Sequence, residues 1–512
     1  MDSQQSTTTL NVDRWSLLWL LLGTVFSLFS DGRWIISLTP WLSMVFWLRF
    51  IRTQKPLRGY FIAALASSVA GYFMMQGVAP MGATEYLITT VINGLVGMLP
   101  YLADRLMARR LKGFVSTLVF PLAATALGYL FAIGAPFGTW GSVAYSQADN
   151  LPLIQIVSIT GIWGITFLIS WFASVVNWAW EQDFEWKRVR VGAGIYAAIL
   201  AGVLLFGGAR LAIFPPASDT VPVAGVDSPL FDVLQKEEIE SPYAQGGFAA
   251  LKWDTIFAKA SVASDDLLRL SARAARAGAK IVLWTEGRAL VSKQDEAALI
   301  ERGRQLARQE QIYLGMALAT ILHTDASLLP QKKMLENKIV FIDPSGNVQW
   351  EYLKTIPVPG AEEAQTVKGD GNVPTLATPY GRIAGAICFD MDFPHLPRRA
   401  GQAGADLILV PAADWKAISP LHTYMASFRA IENGFSLMRV VRGGFSAAFD
   451  YQGRLLAGMD SFTTKDYLIL AHVPTKGVTT IYSQIGDVFA WLSIAGFVAL
   501  LGWIVAQGFR RG

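Results

Sequence analysis

The chain has 512 residues, 53% of them hydrophobic and only 16% charged, a balance displaced from soluble proteins toward membrane proteins. Its net charge of +4 is too small to argue for a nucleic-acid partner. One cysteine, Cys388, excludes an internal disulfide and leaves that residue as either a small buried hydrophobe or a nucleophile.

Met1–Val12 is polar, has no basic stretch, and no small-x-small site follows the first apolar run, so no cleavable signal peptide is expected. Apolar runs then predict eight membrane spans, near 15–30, 34–50, 60–79, 86–103, 113–133, 153–178, 191–214 and 484–508. The first two are short for a hydrocarbon core of roughly 30 Å. Basic residues cluster after every second span: Arg49, Arg52, Lys55 and Arg58, then Arg105, Arg109, Arg110 and Lys112, then Lys187, Arg188 and Arg190, and finally Arg510 and Arg511. The alternate loops carry almost none. This alternation predicts a cytoplasmic N-terminus and an extracytoplasmic segment after the seventh span. The chain therefore divides into 1–214, an N-terminal membrane domain with about seven transmembrane helices, 215–483, of ordinary globular composition, and 484–512, a C-terminal helix and tail.

Within 215–483, strands are predicted at Val221–Val226, Lys280–Trp284, Ile312–Ala317, Lys338–Ile342, Arg382–Cys388, Asp406–Val410, Ser436–Val441, Gly444–Phe449 and Leu468–Val473. Helices are predicted at Ser261–Ala277, Glu296–Gln309 and Leu421–Asn433, the last closed by Gly434. The segments 343–347 and 450–453 read as hairpin turns. Strands alternating with helices argue a layered α/β fold, in which residues at strand ends converge on one edge.

Three strand ends carry chemistry. Glu286 follows Ile281–Trp284, Lys354 closes the strand-like Glu351–Leu353, and Cys388 ends another strand. A carboxylate can take the proton of a thiol, and a nearby ammonium favours the thiolate and steadies an oxyanion. Base, stabiliser and nucleophile for acyl transfer through a thioester are thus present. Glu362, in the loop after Lys354, can return to the lysine. Asp414-Trp415 follows a strand end and can line a pocket. Arg429 and Glu432 read as a structural ion pair at i,i+3. His323, His395, His422 and His472 lack metal-ligand spacing, so no metal is expected. No P-loop or dinucleotide fingerprint occurs, and no cofactor is expected.

Glu286, Lys354 and Cys388, in that order, resemble the signature of the nitrilase (carbon–nitrogen hydrolase) superfamily. With seven spans before the domain and one after it, the whole chain resembles the apolipoprotein N-acyltransferase family. Ala144–Gln147, Gly161–Leu168, Trp284-Thr285-Glu286, the Lys354–Glu362 interval and Arg429–Gly434 carry the likeness. It implies an α-β-β-α sandwich beside the helical membrane bundle, in the bacterial inner membrane with the catalytic domain on the periplasmic side. It implies a phospholipid acyl donor and a diacylglyceryl-modified apolipoprotein acceptor, with the chain acting as a monomer. Cys388 would take the acyl chain and pass it to the acceptor's N-terminal amine. Lys252-Trp253-Asp254 resembles a substrate-gating segment, so Trp253 and Trp415 are candidate substrate-binding residues. The chain departs from the family at Thr285, where proline is usual, at Phe389 and Asp390, where Tyr-Glu is usual, and at 412–416. Phe389 and Asp390 are read as supporting residues. A membrane-tethered amidase using the same three groups remains the alternative. Transport is disfavoured by the scarcity of ionisable residues in the spans.

Overall fold

The computed structural model describes residues 13–78, 81–328 and 331–509. Arg510, Arg511 and the polar stretch Met1–Val12 lie outside the described residues. The chain folds as two compact units. Residues 13–133, 141–208 and 487–509 make one, and 134–140 with 209–486 make the other.

The first unit is helical. Among the described residues five helices are long and apolar enough to cross a membrane: Ala83–Arg110, Gly113–Gly134, Ile162–Trp180, Trp186–Ile213 and Val488–Gln507. Helices Ser16–Ser27, Thr39–Thr53 and Pro56–Met74 occupy the first three expected spans. The sixth expected span, 153–178, is not one helix. Gly161 adopts φ +62 and separates two single-turn helices from Ile162–Trp180, because a left-handed residue cannot continue an α-helix. The first two basic clusters meet in this unit. Arg52 binds Asp104 through two nitrogens at 2.7 and 2.8 Å, approaches Glu181 at 3.5 Å, and accepts at its carbonyl from Arg109. Residues from two alternate loops meet as well: Gln147 donates to the Ser37 carbonyl at 2.7 Å.

The second unit is a sandwich of two mixed sheets. Its strands are β1 (Thr220–Val226), β2 (Ile281–Trp284), β3 (Ala289–Ser292), β4 (Tyr313–Ile321), β5 (Leu335–Ile342), β6 (Val348–Leu353), β7 (Thr375–Thr378), β8 (Gly381–Gly385), β9 (Leu407–Ala413), β10 (Ser436–Arg442), β11 (Phe445–Phe449), β12 (Leu455–Asp460) and β13 (Leu468–Pro474). One sheet runs β13-β1-β2-β4-β5-β6, with β3 also paired to β4; the other runs β12-β11-β10-β9-β8-β7. Parallel pairs sit centrally, β1 with β2, β2 with β4, β8 with β9, and β9 with β10, and β3 also runs parallel to β4.

Period-two alternation explains the layering. Val221, Val223, Ile281 and Leu283 face Ile383, Leu407, Leu409 and Met438 of the other sheet. Their neighbours Ala224, Val226, Val282 and Trp284 face helices Trp253–Arg276 and Glu296–Glu310. Ile408, Val410 and Leu437 likewise face helices His395–Gln402 and Leu421–Asn433. Strands buried on both faces read as continuous apolar runs, as Ile281–Trp284 does. The result is the α-β-β-α sandwich. The strand expected over 382–388 ends earlier, at Gly385, and Cys388 opens a short 3-10 helix, Cys388–Asp392.

Candidate active site

Glu286, Lys354 and Cys388 are carried to one place by different elements. Past β2, Gly287 turns the chain at φ +69 and leaves Glu286 only 4% exposed. Lys354 follows β6 directly and is also buried. Cys388 comes from the other sheet, beyond β8, and is buried. Its φ of +46 is left-handed, which costs a non-glycine residue about 1–2 kcal/mol. Such strain is found where a side chain has to be aimed.

Lys354 Nζ donates to Glu286 Oε1 at 2.9 Å and to both Glu362 oxygens at 2.7 and 3.0 Å. Asn337 Nδ2 donates to Glu286 Oε1 at 2.7 Å and to Glu362 Oε1 at 3.3 Å. The Val358 amide donates to Glu362 Oε2 at 2.8 Å. Glu286 Oε2 is buried and has no hydrogen-bond partner among the described residues. Burial opposes the charge on Glu286, but the Lys354 ammonium and the bonds from Lys354 and Asn337 outweigh it and hold the carboxyl below its ordinary range. Burial opposes the ammonium too, yet Glu286, then Glu362 and Cys388, push Lys354 well above the usual lysine value. Burial and then Glu286 push the Cys388 thiol well up, against the pull of Lys354. At rest the group is carboxylate, ammonium and neutral thiol.

Asp390 joins the two sheets at this point. Its carboxylate accepts from the Ile387 amide at 3.1 Å, the Ile356 amide at 2.8 Å and the Tyr352 hydroxyl at 2.8 Å. Burial raises its carboxyl to about 6. Phe389 lies edge-on to Phe393. Thr285 donates to Asp227 at 2.9 Å.

A second buried cluster lies beside the thiol, and sequence spacing had not indicated it. His422 Nδ1 is 2.8 Å from Asp414 and Nε2 is 3.0 Å from Asp392, on the turn that Cys388 begins. Arg439 clamps Asp414 at 2.8 and 2.9 Å. Asp392 and Asp414 outweigh burial and raise His422 to about 9, which puts a proton on both ring nitrogens. Cys388, Asp414 and His422 offer ligand atoms within 4.8 Å of one another. Their types could hold a metal, but both imidazole nitrogens already face carboxylates, and Arg439 Nη2 sits 2.9 Å from Nδ1. A metal ion there would meet a guanidinium where it needs a lone pair.

Trp253 opens the helix Trp253–Arg276, with its ring against Phe257 and its Nε1 buried without a partner among the described residues. Trp415 is 36% exposed, one residue past Asp414, whose side chain is fully buried. Arg429 and Glu432 form their ion pair at 3.0 Å, both fully buried.

The sandwich is a carbon–nitrogen hydrolase domain: the family model of that description matches residues 258–482. A second model, the apolipoprotein N-acyltransferase N-terminal domain, matches residues 11–175. The chain belongs to the apolipoprotein N-acyltransferase family. It is 28% identical to the apolipoprotein N-acyltransferase of Geobacter metallireducens, over 92% of each chain. It is 26% identical to that of Bradyrhizobium diazoefficiens, over 70% of this chain and 68% of the relative. Among solved structures, an amidase from Nesterenkonia sp. is 21% identical, covering 53% of this chain and 95% of its own, with a TM-score of 0.39.

Proposed function

We propose that this membrane protein transfers an acyl chain from a phospholipid, through a thioester on Cys388, to the N-terminal amine of a diacylglyceryl-cysteine apolipoprotein. The observation that carries the chemistry is the unpartnered, buried Glu286 Oε2 beside Lys354 and the thiol. Glu286 takes the Sγ proton as sulfur attacks the ester carbonyl. The Lys354 ammonium stabilises the oxyanion. The glycerol oxygen of the lysophospholipid leaves and takes the proton back from Glu286. In the second half, the acceptor amine attacks the thioester, Glu286 accepts its proton, and that proton returns to the departing sulfur. Glu362 and Asn337 hold the lysine and the carboxylate in register, and Asp390 with Phe389 steadies the nucleophile's turn. Trp253 and Trp415 contact the lipid chains in this reading.

Residues 215–483 would form the catalytic domain, on the periplasmic side of the inner membrane, with 1–214 and 484–512 as its membrane anchor and the chain as a monomer. The meeting of Arg52, Arg109 and Glu181 in the helical unit supports this topology, because basic loops belong on the cytoplasmic side.

The test supplies purified protein with phospholipid, with and without a diacylglyceryl-cysteine peptide. N-acylated peptide and lysophospholipid are expected, with a hydroxylamine-labile acyl group on the protein that Cys388→Ser removes. Rapid release of free fatty acid or hydrolysis of simple amides, with no acylated peptide, would make the protein a tethered amidase.

A further inference from the structure

One cation beside the site has no part in the chemistry above. Arg442, the last residue of β10, forms no carboxylate ion pair among the described residues. Its Nη1 donates to the neutral Gln235 side chain at 2.6 Å, and its Nε is buried without a partner among the described residues. Its Nη2 lies 3.9 Å from where a β-carbon on Gly287 would stand, next to Glu286 in the chain. Arg288, 2% exposed, is a second guanidinium here. It binds Asp227 at 2.6 and 3.3 Å and Asp232 at 2.6 Å, while its Nη1 is buried without a partner among the described residues. The two are close enough that, after burial, the charge of Arg288 holds Arg442 below the ordinary arginine range.

A buried guanidinium nitrogen without an acceptor is costly to leave so, and the planar fork matches phosphate oxygens. A glycerophospholipid joins its phosphate to its reactive esters through one glycerol, so a phosphate site has to lie close to the nucleophile. A cation adjoining Glu286 meets that requirement. We propose that Arg442, backed by Arg288, is the subsite for the phosphate of the acyl donor, so that the enzyme selects phosphate-bearing acyl esters over neutral glycerides. The inference rests on the acyl-transfer reading for the identity of the molecule that carries the phosphate.

Binding to the full-length Cys388→Ser protein in neutral detergent tests the subsite without any turnover. Hexadecyl phosphate should bind about tenfold or more tightly than hexadecanol, as one charge-assisted contact implies. Adding Arg442→Gln should erase that preference while leaving hexadecanol binding unchanged. Arg442→Lys should retain part of it. Gln235→Ala, which frees the guanidinium, should keep or increase it. Equal binding of phosphate and alcohol, or loss of preference in Gln235→Ala as complete as in Arg442→Gln, would overturn the proposal. Inorganic phosphate displacing hexadecyl phosphate at matched concentration would assign the subsite to a free anion and also overturn it. Intact phosphate preference in a protein that forms no thioester would instead remove the acyl-transfer reading and leave the phosphate site standing.

Discussion

Lys354 holds the site's charge balance, since one ammonium serves the buried carboxylate of Glu286 and the partly buried one of Glu362. Lys354→Met and Glu286→Gln should each slow acylation by roughly two or more orders of magnitude in single-turnover assays. Lys354→Met should also lose about 3–5 kcal/mol of stability, because it strands buried charge; Glu286→Gln leaves the lysine paired to Glu362. Acylation near the normal rate in folded Lys354→Met would remove the lysine from the mechanism. His422 gives a pH signature. It faces Asp392, Asp414, Arg439 and the Trp140 ring, and its value of about 9 exceeds the ordinary 6.5. A raised cation stabilises fully below pH 6.5 and loses that contribution as pH rises through about 9. Unfolding free energy should therefore fall by roughly 3 kcal/mol across that window, and His422→Gln should flatten the profile. An unchanged slope in the variant would place the titration elsewhere.

At the scale of elements, the site depends on a link between sheets. Glu286 and Lys354 issue from β2 and β6 of one sheet, and Cys388 follows β8 of the other. The Asp390 carboxylate bonds to both sides. Asp390→Ala would leave two amides and a hydroxyl without their acceptor, at about 1–3 kcal/mol each. It should lower the melting temperature and slow thioester formation together. Tyr352→Phe removes one donor and should cost only about 1 kcal/mol. Equal effects of the two, measured by thermal unfolding and single-turnover acylation, would deny Asp390 its bridging role.

For the whole molecule, the charge alternation of the loops sets the expected topology. Reporters fused after Arg110 and after Lys187 should register as cytoplasmic, and one inserted within 215–483 as external. The opposite pattern would exclude lipoprotein maturation, whose acceptors lie outside the cytoplasm in the proposed scheme.

The sequence by itself determined the two kinds of fold and the order of the chemistry. Long apolar runs, basic clusters after alternate runs, and strands such as Ile281–Trp284 ending in a carboxylate are local patterns, legible because burial and period act over neighbouring residues. The Glu362 loop was legible for the same reason, eight residues from its lysine. The break that Gly161 makes in the sixth span is not legible in the sequence, since a lone glycine does not announce its φ. Only the tertiary structure decided which distant residues meet: Asn337 with Glu286, Asp390 with Ile356, His422 between Asp392 and Asp414, and Arg442 with Gly287. These partners come from separate strands and helices, and their pairing is set by how two sheets stack, a long-range packing outcome that no local periodicity encodes.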